Sequence, residues 1–524
     1  MIPKSYIENY IQTGKQFPPE TEAVRLAENR KYQAVFDGKF LDLFPHLRDK
    51  LFMDLVNKDG EIERFIETTI PRFPSLIEKK FCNLAFGKTP SISHETDGKL
   101  DKKISDALER TNFWSAVKRA FVDSRIFGNG IIDSYNTLSN LTANYEDVED
   151  LEPVVTNLDV SSWCPVCEDT NKSVIVGHLI GAVYKVEDET YNGYRISITY
   201  NTNKESKTWT FNCSTPIFGS VTLKEQIGEP TTHTGATNYN RVKVLVGFNT
   251  TTTYPYGIST FRDYYELVAK LMNRFSQVAN ILDKHAMPMM SGPKSVLDYN
   301  EDTGEWTFNR SAFVGISPED SGIDLKYVTW DAQLDACFKD INNITKLIYQ
   351  MSESGADFLD DLTDNSNGFA PSARALKIRQ KSPISAVNAW VTENQNTIKK
   401  AVEDVCKMSG VSVKWTDLEL TWTPNLPEDE LEKSQIFMNK MNAGFSFVDE
   451  AMREYGMSYE GAKQEFEDKL EEGKKKSEST LALQQKQIDL DPNAKKDDDG
   501  KTNKKVDKDP DTQRRSNDQL GKQQ

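Results

Sequence analysis

Along its first 135 positions the chain repeats apolar side chains at helical spacing. Ala23 to Phe36 carries one such stripe, and Phe40 to Phe52 follows after a glycine. A third run starts near Ile62, passes through Phe73 to Phe86 and is predicted to stop at Gly87-Lys88-Thr89-Pro90, where Gly and Pro terminate it. Leu100 to Phe127 predicts one or two more helices, with Trp114, Val117, Ala120 and Phe121 on one face. Gly128-Asn129-Gly130 then reads as a turn into a strand. From Val154 to Val246 the period shortens. Val174-Ile175-Val176, Ile180 to Tyr184, Tyr194 to Tyr200, Thr208 to Phe211 and Val242 to Val246 predict an antiparallel sheet inserted between helical parts.

Two helices with a narrow apolar seam come next. The first follows Pro255-Tyr256-Gly257, with Thr260 and Asp263 at capping-box spacing. Tyr264, Val268, Leu271, Phe275, Val278 and Leu282 recur at spacings 4-3-4-3-4, and the seam continues to Pro288. That is about 25 residues, or roughly 37 Å of helix. The second begins near Trp330 and carries Leu334, Phe338, Ile341, Ile344 and Ile348. One seam with otherwise polar faces predicts helices packed side by side, a pattern that an ordinary bundle also produces.

Between the seam helices, Val296 to Tyr299 and Glu305 to Phe308 flank a loop of hairpin composition. Ser352 to Gly368 is rich in Asn, Gly, Ser and acids, which predicts an exposed mobile loop. A long helix is expected from Pro371, to be kinked or broken at Pro383 before resuming through Val387, Trp390, Ile398 and Val405. Val411 to Trp415 and Leu418 to Trp422 read as a closing pair of strands. Two or three short helices are expected from Pro427 to about Leu470.

Charge changes this picture more than size does. The 524 residues suggest two to four domains, and 64 Lys and Arg against 80 Asp and Glu give a formal net charge of −16. An acidic total argues against a conventional nucleic-acid binder. The excess is uneven: Leu297 to Asp364 holds 15 acids against 4 bases, whereas Gly473 to Gln524 holds 10 acids against 13 bases. That terminal stretch has no aromatic residue and six large aliphatics, so it is expected to be disordered. No run approaches the ~20 apolar residues of a membrane span, and Met1-Ile2-Pro3-Lys4 opens no signal-peptide pattern, so neither is expected. Six cysteines are too few for a disulfide scaffold.

Catalytic patterns are missing. No Walker A, dinucleotide-binding, HExxH or nucleophile-elbow motif occurs. Cys164-Pro165-Val166-Cys167 lacks a second Cys pair, and His178 and Cys213 complete a zinc site only if folding delivers them. Two ordinary thiols beside a strand is the plainer reading. No cofactor, metal or enzymatic activity is expected, and Asp357, Asp360, Asp361 and Asp364 read as a solvated acidic loop.

The order of parts resembles the portal proteins of long-tailed double-stranded DNA phages. Leu84-Ala85-Phe86-Gly87-Lys88-Thr89-Pro90 is similar to that family's "LFGKPP"-like turn. Tyr256-Gly257-Ile258-Ser259-Thr260-Phe261 is similar to its entry into the first stem helix. Asn367-Gly368-Phe369-Ala370-Pro371-Ser372-Ala373-Arg374-Ala375-Leu376-Lys377 is similar to the passage after its tunnel loop, expanded by Phe369-Ala370-Pro371. The likeness spans roughly residues 20 to 470.

It implies an α+β, mainly helical fold with a wing (1–255 and 369–424) that carries a β-rich insert at about 154–250. Stem helices at 257–287 and 330–351 would flank a clip at 288–329. A tunnel loop at 352–368, a crown at 425–472 and a disordered tail at 473–524 complete it. Stem packing would fall to the seam residues above. Glu353, Asp357, Asp360, Asp361, Asp364, Asn365 and Asn367 would face the DNA channel, and Glu301, Asp302, Trp306, Glu319 and Asp320 would dock the motor or adaptor. The implied partners are eleven further copies in a ring of twelve, double-stranded DNA, the terminase large subunit, a head-completion or adaptor protein, and the major capsid and scaffolding proteins. No membrane is involved. The implied location is a capsid vertex in the virion, reached from the host cytoplasm during assembly. The rival readings are a non-channel structural adaptor or coiled-coil assembly protein and, third, a metal-dependent nuclease.

Overall fold

The computed structural model describes residues 1–44, 72–94, 98–138, 151–187, 192–202, 204–217, 219–234, 241–250, 255–286, 289–291, 297–300, 305–308, 326–328, 334–355, 378, 380–425, 430–448, 450–451 and 459–490. The chain divides into two compact units, Met1–Asp429 and Glu430–Gln524.

In chain order, the first unit opens with strand β1 (Ile2–Pro3), helix α1 (Ile7–Tyr10), β2 (Gln16–Phe17), and helices α2 (Ala23–Asp37) and α3 (Phe40–Leu43). Next are α4 (Phe73–Phe86), β3 (Ser91–His94), α5 (Gly98–Arg110), α6 (Phe113–Phe127) and β4 (Asn129–Leu138). Strands β5 (Leu151–Leu158), β6 (Trp163–Cys167), β7 (Ile175–Glu187), β8 (Asn192–Asn201), β9 (Glu205–Cys213), β10 (Val221–Gln226), β11 (Thr231–Thr234) and β12 (Arg241–Val246) follow. Helix α7 (Tyr265–Ala286) leads to β13 (Met289–Ser291), β14 (Leu297–Asn300), β15 (Glu305–Phe308) and β16 (Lys326–Val328). Helices α8 (Leu334–Met351) and α9 (Lys381–Met408) and strand β17 (Leu418–Thr421) close this unit. The second unit contains α10 (Glu430–Asn442) and α11 (Tyr459–Leu490).

The fold is α+β, as expected. Its main core joins Phe81 of α4, Ile104 of α5, Phe113 and Phe121 of α6, and Trp390, Ile398 and Val405 of α9. Left-handed Asn112, at φ 49°, separates α5 from α6. Gly128, at φ 86°, ends α6 in the conformation that glycine adopts without penalty. Strands β12, β4 and β5 form a three-stranded antiparallel sheet beside this core.

Of the predicted β insert, Val242 to Val246 (in β12) and Val154 to Leu158 (in β5) belong to the three-stranded sheet, whereas the strands from β6 to β11 join a larger sheet in the order β1-β6-β7-β8-β9-β10-β2, with β11 on β9. Its outermost strands come from the start of the chain, which the helical reading of the first 135 residues missed. Ile2 pairs in parallel with Val166, and Phe17 pairs antiparallel with Val221. Ile2, Ile7, Ile11 and Phe17 cover the apolar face built by Leu179, Ile198, Phe211 and Leu223. A Cβ on Gly181 would lie 2.2 Å from the Phe17 ring, so this packing needs glycine there.

Four further expectations change. Leu418–Thr421 pairs with Ser91–His94 rather than with the 411–415 segment. Pro383 lies in the first turn of α9, where its missing N–H breaks no ladder. Ser259, whose Oγ accepts the Phe261 N–H at 3.1 Å, caps a 3-10 turn at Thr260–Asp263 that precedes α7, so Thr260 lies inside that turn rather than capping the helix. The tail expected to be disordered from Gly473 continues α11 to Leu490. Its Lys, Glu, Gln, Leu and Ala content supports a helix even without aromatics to bury.

Candidate functional site: the paired helices and their anchorage

Helices α7 and α8 pack along the predicted seam. Tyr264, Val268, Leu271 and Ile348 are fully buried, Val278, Ile341 and Ile344 nearly so, and Phe275 is partly buried against them. Arg274 Nε donates to Asp340 Oδ2 at 2.7 Å, linking the two helices beside the seam. Arg274 Nη1 also donates to Gln277 Oε1 at 2.9 Å. Antiparallel strands β13 and β16 pair Met289 with Val328 beyond the ends of the helices. The predicted hairpin pairs Leu297 with Phe308 and Tyr299 with Trp306.

Two predicted seam residues are not covered: Leu282 is 50% exposed and Phe338 46% exposed. Leu334 opens α8. Leu347 and Met351, which the heptad reading passed over, are 45% and 48% exposed. At roughly 100° per residue, Phe338 lies to one side of the Ile341-Ile344-Ile348 line, and Leu347 and Met351 lie to the other. A single copy therefore satisfies the central seam and leaves apolar side chains on both flanks.

The root of α7 is fixed by buried polar groups. Arg125 Nε of α6 donates to Glu78 Oε2 of α4 at 2.5 Å, and both side chains are buried. The guanidinium also lies 3.7 Å from the Phe81 ring centre. Thr260 Oγ1 donates to the Arg125 carbonyl at 3.0 Å and lies 3.2 Å from Glu78 Oε1. The chain entering α7 is gripped by Asn129, whose Nδ2 donates to Pro255 O and whose Oδ1 accepts the Gly257 N–H at 3.0 Å. A Cβ on Gly257 would fall 1.8 Å from the Gly128 carbonyl, which explains why the two glycines meet there. Burial, with the Glu78 charge adding to it, pushes the Tyr264 hydroxyl well above the ordinary tyrosine range.

A second anchor holds Met1 and Tyr256. Glu22 accepts from the Met1 ammonium at 2.6 Å, from Arg25 Nε at 2.7 Å and from the Tyr256 hydroxyl at 2.8 Å. Burial opposes the Glu22 charge, but Arg25 and the ammonium outweigh it and hold the carboxyl below its usual range.

At the other end of α8, the Tyr349 carbonyl accepts from the Gly355 N–H at 3.1 Å and from Ser354 Oγ at 3.2 Å. Exposed Glu353 takes a left-handed φ of 61°, and its carbonyl accepts from Ser382 Oγ of α9 at 2.9 Å. Asp357, Asp360, Asp361, Asp364, Asn365 and Asn367 lie outside the described residues, as do Glu301, Asp302, Glu319 and Asp320.

The candidate thiols are absorbed by the large sheet. Cys164 is fully buried, and burial pushes its thiol up to about 12. His178 Nδ1 accepts from Trp163 Nε1 at 3.1 Å, and Cys213 pairs in register with Leu223. Among the described residues no three His, Cys, Asp or Glu side chains gather as a metal site, and no helix is long and apolar enough to cross a membrane.

None of the curated proteins compared matches the chain. The family model described as phage portal protein, SPP1 Gp6-like, matches residues 67–479, which include the helix pair, its root in α4 and α6, and most of the second unit. A match over that much of the sequence means that this chain belongs to the SPP1 Gp6-like family of phage portal proteins.

Proposed function

We propose that copies of this chain close into a ring of twelve at one capsid vertex, and that double-stranded DNA enters and leaves the phage head through its centre. The observation that carries this reading is the helix pair, whose seam is satisfied within one copy while Phe338, Leu347 and Met351 remain exposed on its flanks. Apolar groups on both sides of one element suit a head-to-tail contact repeated around a closed ring. In this reading α7 and α8 are the stem and 288–329 is the clip. The clip docks the terminase large subunit during packaging and a head-completion protein afterwards, through Trp306 and the acids Glu301, Asp302, Glu319 and Asp320. The wing contacts the major capsid and scaffolding proteins, and residues 352–368 line the channel as a tunnel loop. The residues act structurally, without a catalytic group or cofactor.

Negative-stain imaging of the purified chain tests this directly. Rings with a central hole are expected, with twelve-fold class averages. Monomers or open fibres at micromolar concentration would overturn the proposal.

A further inference from the structure

The second unit carries an apolar groove of about 430 Å³ along α11, bounded by Phe447, Phe466, Lys469, Leu470, Gly473 and Lys474. Its floor is packed: Phe447 meets both Phe437 and Phe466 with ring centres 5.5 Å apart, over the buried Ala451 and Ala462. Its wall is open, with Phe466 40% and Leu470 47% exposed. Gly473 lies inside a 32-residue helix, where glycine is the poorest helix former after proline. Among the described residues nothing requires it, because a Cβ there would meet no atom within 4 Å. A glycine on the wall of an open apolar groove is suited to a backbone approaching from outside.

We propose that this groove seats α11 of a second copy of the chain, so that neighbouring subunits also interlock through this unit. The inference rests on the ring reading above, and charge points to a second copy as the occupant. Lys474 rims the groove beside Lys469, whose ammonium already pairs with Glu465 at 3.0 Å and lies 4.7 Å from the Phe447 ring centre. The first half of α11 carries Glu460, Glu465, Glu467, Asp468, Glu471 and Glu472 against Lys463, Lys469 and Lys474. One helix thus bears a basic rim and an acidic stretch, which complement each other when copies pack head to tail. Phe466, Leu470, Gly473 and Ser477 follow one another at spacings 4-3-4 and form the α11 stripe that lines the groove.

The test uses full-length Ser477→Cys labelled with benzophenone maleimide and irradiated after assembly, with the unsubstituted chain as control. Five of the six native cysteines are buried and Cys337 is half-buried, so labelling falls mainly on the new thiol. Adducts joining two copies, mapped by mass spectrometry to residues 459–490 of the second, are expected. Adding Gly473→Leu should lower their yield roughly tenfold, as loss of a central contact does, while rings and helical circular dichroism persist. Rings whose adducts stay within one chain would overturn the contact and leave the ring reading intact. So would an unchanged yield with Gly473→Leu, or a site shielded only after another virion protein is added. Absence of rings in the same images would remove both proposals.

Discussion

His178 and Asp123 oppose one another as the pH changes. Burial, with Lys243 adding to it, lowers His178 to about 4. Its contribution to stability is complete above the unfolded value near 6.5 and is lost as the pH falls towards 4. Asp123 of α6 is raised to about 6 by burial, against a hydrogen bond from Asn157 and with the help of Asp159. Its contribution is complete below about 4 and is lost as the pH rises through 6. Each shift corresponds to at most about 3 kcal/mol, so between pH 4 and 6 the two largely cancel. Asp123→Asn should therefore raise the melting temperature at pH 7 and leave it unchanged at pH 4, with a gain of about 1–3 kcal/mol. Thermal melts from pH 4 to 7 check this, and an equal gain at both ends would exclude titration as its source. The Glu78–Arg125 pair gives a second residue-level expectation. Glu78→Gln leaves a buried guanidinium without its counter-charge and should cost about 3–5 kcal/mol in chemical denaturation. That pair was not legible beforehand, because Glu78 and Arg125 are 47 positions apart in the sequence.

The two helices of the pair were legible for a local reason. A 3-4 repeat of apolar residues specifies which face is buried without reference to distant chain. What covers the flanks is not local, so Phe338 read as seam and Leu347 and Met351 escaped notice. Similar logic separates the strands that were expected from those that were missed. β7, β8 and β9 are neighbours in sequence, and β8 and β9 alternate, while β1 and β2 are two residues each and exist only through pairing with Val166 and Val221. Nor could a local pattern have told that Leu418 would pair with His94. The flank residues make a sharp test. Phe338→Asp and Leu347→Asp should abolish rings in analytical ultracentrifugation while changing the unfolding free energy by no more than about 0.5 kcal/mol, as exposed substitutions do. Ile344→Asp, buried at 2% exposure, should instead prevent folding. Rings that persist with an aspartate at both flank positions would place the subunit contacts elsewhere.

At the scale of the molecule, the acid between Leu297 and Asp364 resolves into two bands. Helix α8 itself is balanced, with Asp335 and Asp340 against Lys339 and Lys346, and Asp340 is bound to Arg274. The excess therefore lies before α8, where residues 297–333 hold eight acids and two bases, and after it, where 352–364 holds five acids and no base. In the proposed ring these bands are the clip and the tunnel loop, separated by a neutral stem. Fixed charges act over about 8 Å at physiological salt, so each band serves whatever passes or docks within that distance. A loop facing DNA, which carries one charge per ~1.7 Å of axis, should repel phosphate and keep the channel from gripping its cargo. In the same proposed ring, acids of the clip would attract basic surfaces on the motor or adaptor. The bands should separate by experiment. Replacing Asp357, Asp360, Asp361 and Asp364 with Asn should slow packaging and raise retention of DNA in the filled head, most of all at low salt, while motor binding is unchanged. Replacing Glu301, Asp302, Glu319 and Asp320 with their amides should weaken motor binding and reduce its salt dependence, with retention unchanged. If the loop variant packages and retains DNA as the native ring does, the acid there keeps the loop hydrated and has no part in transport.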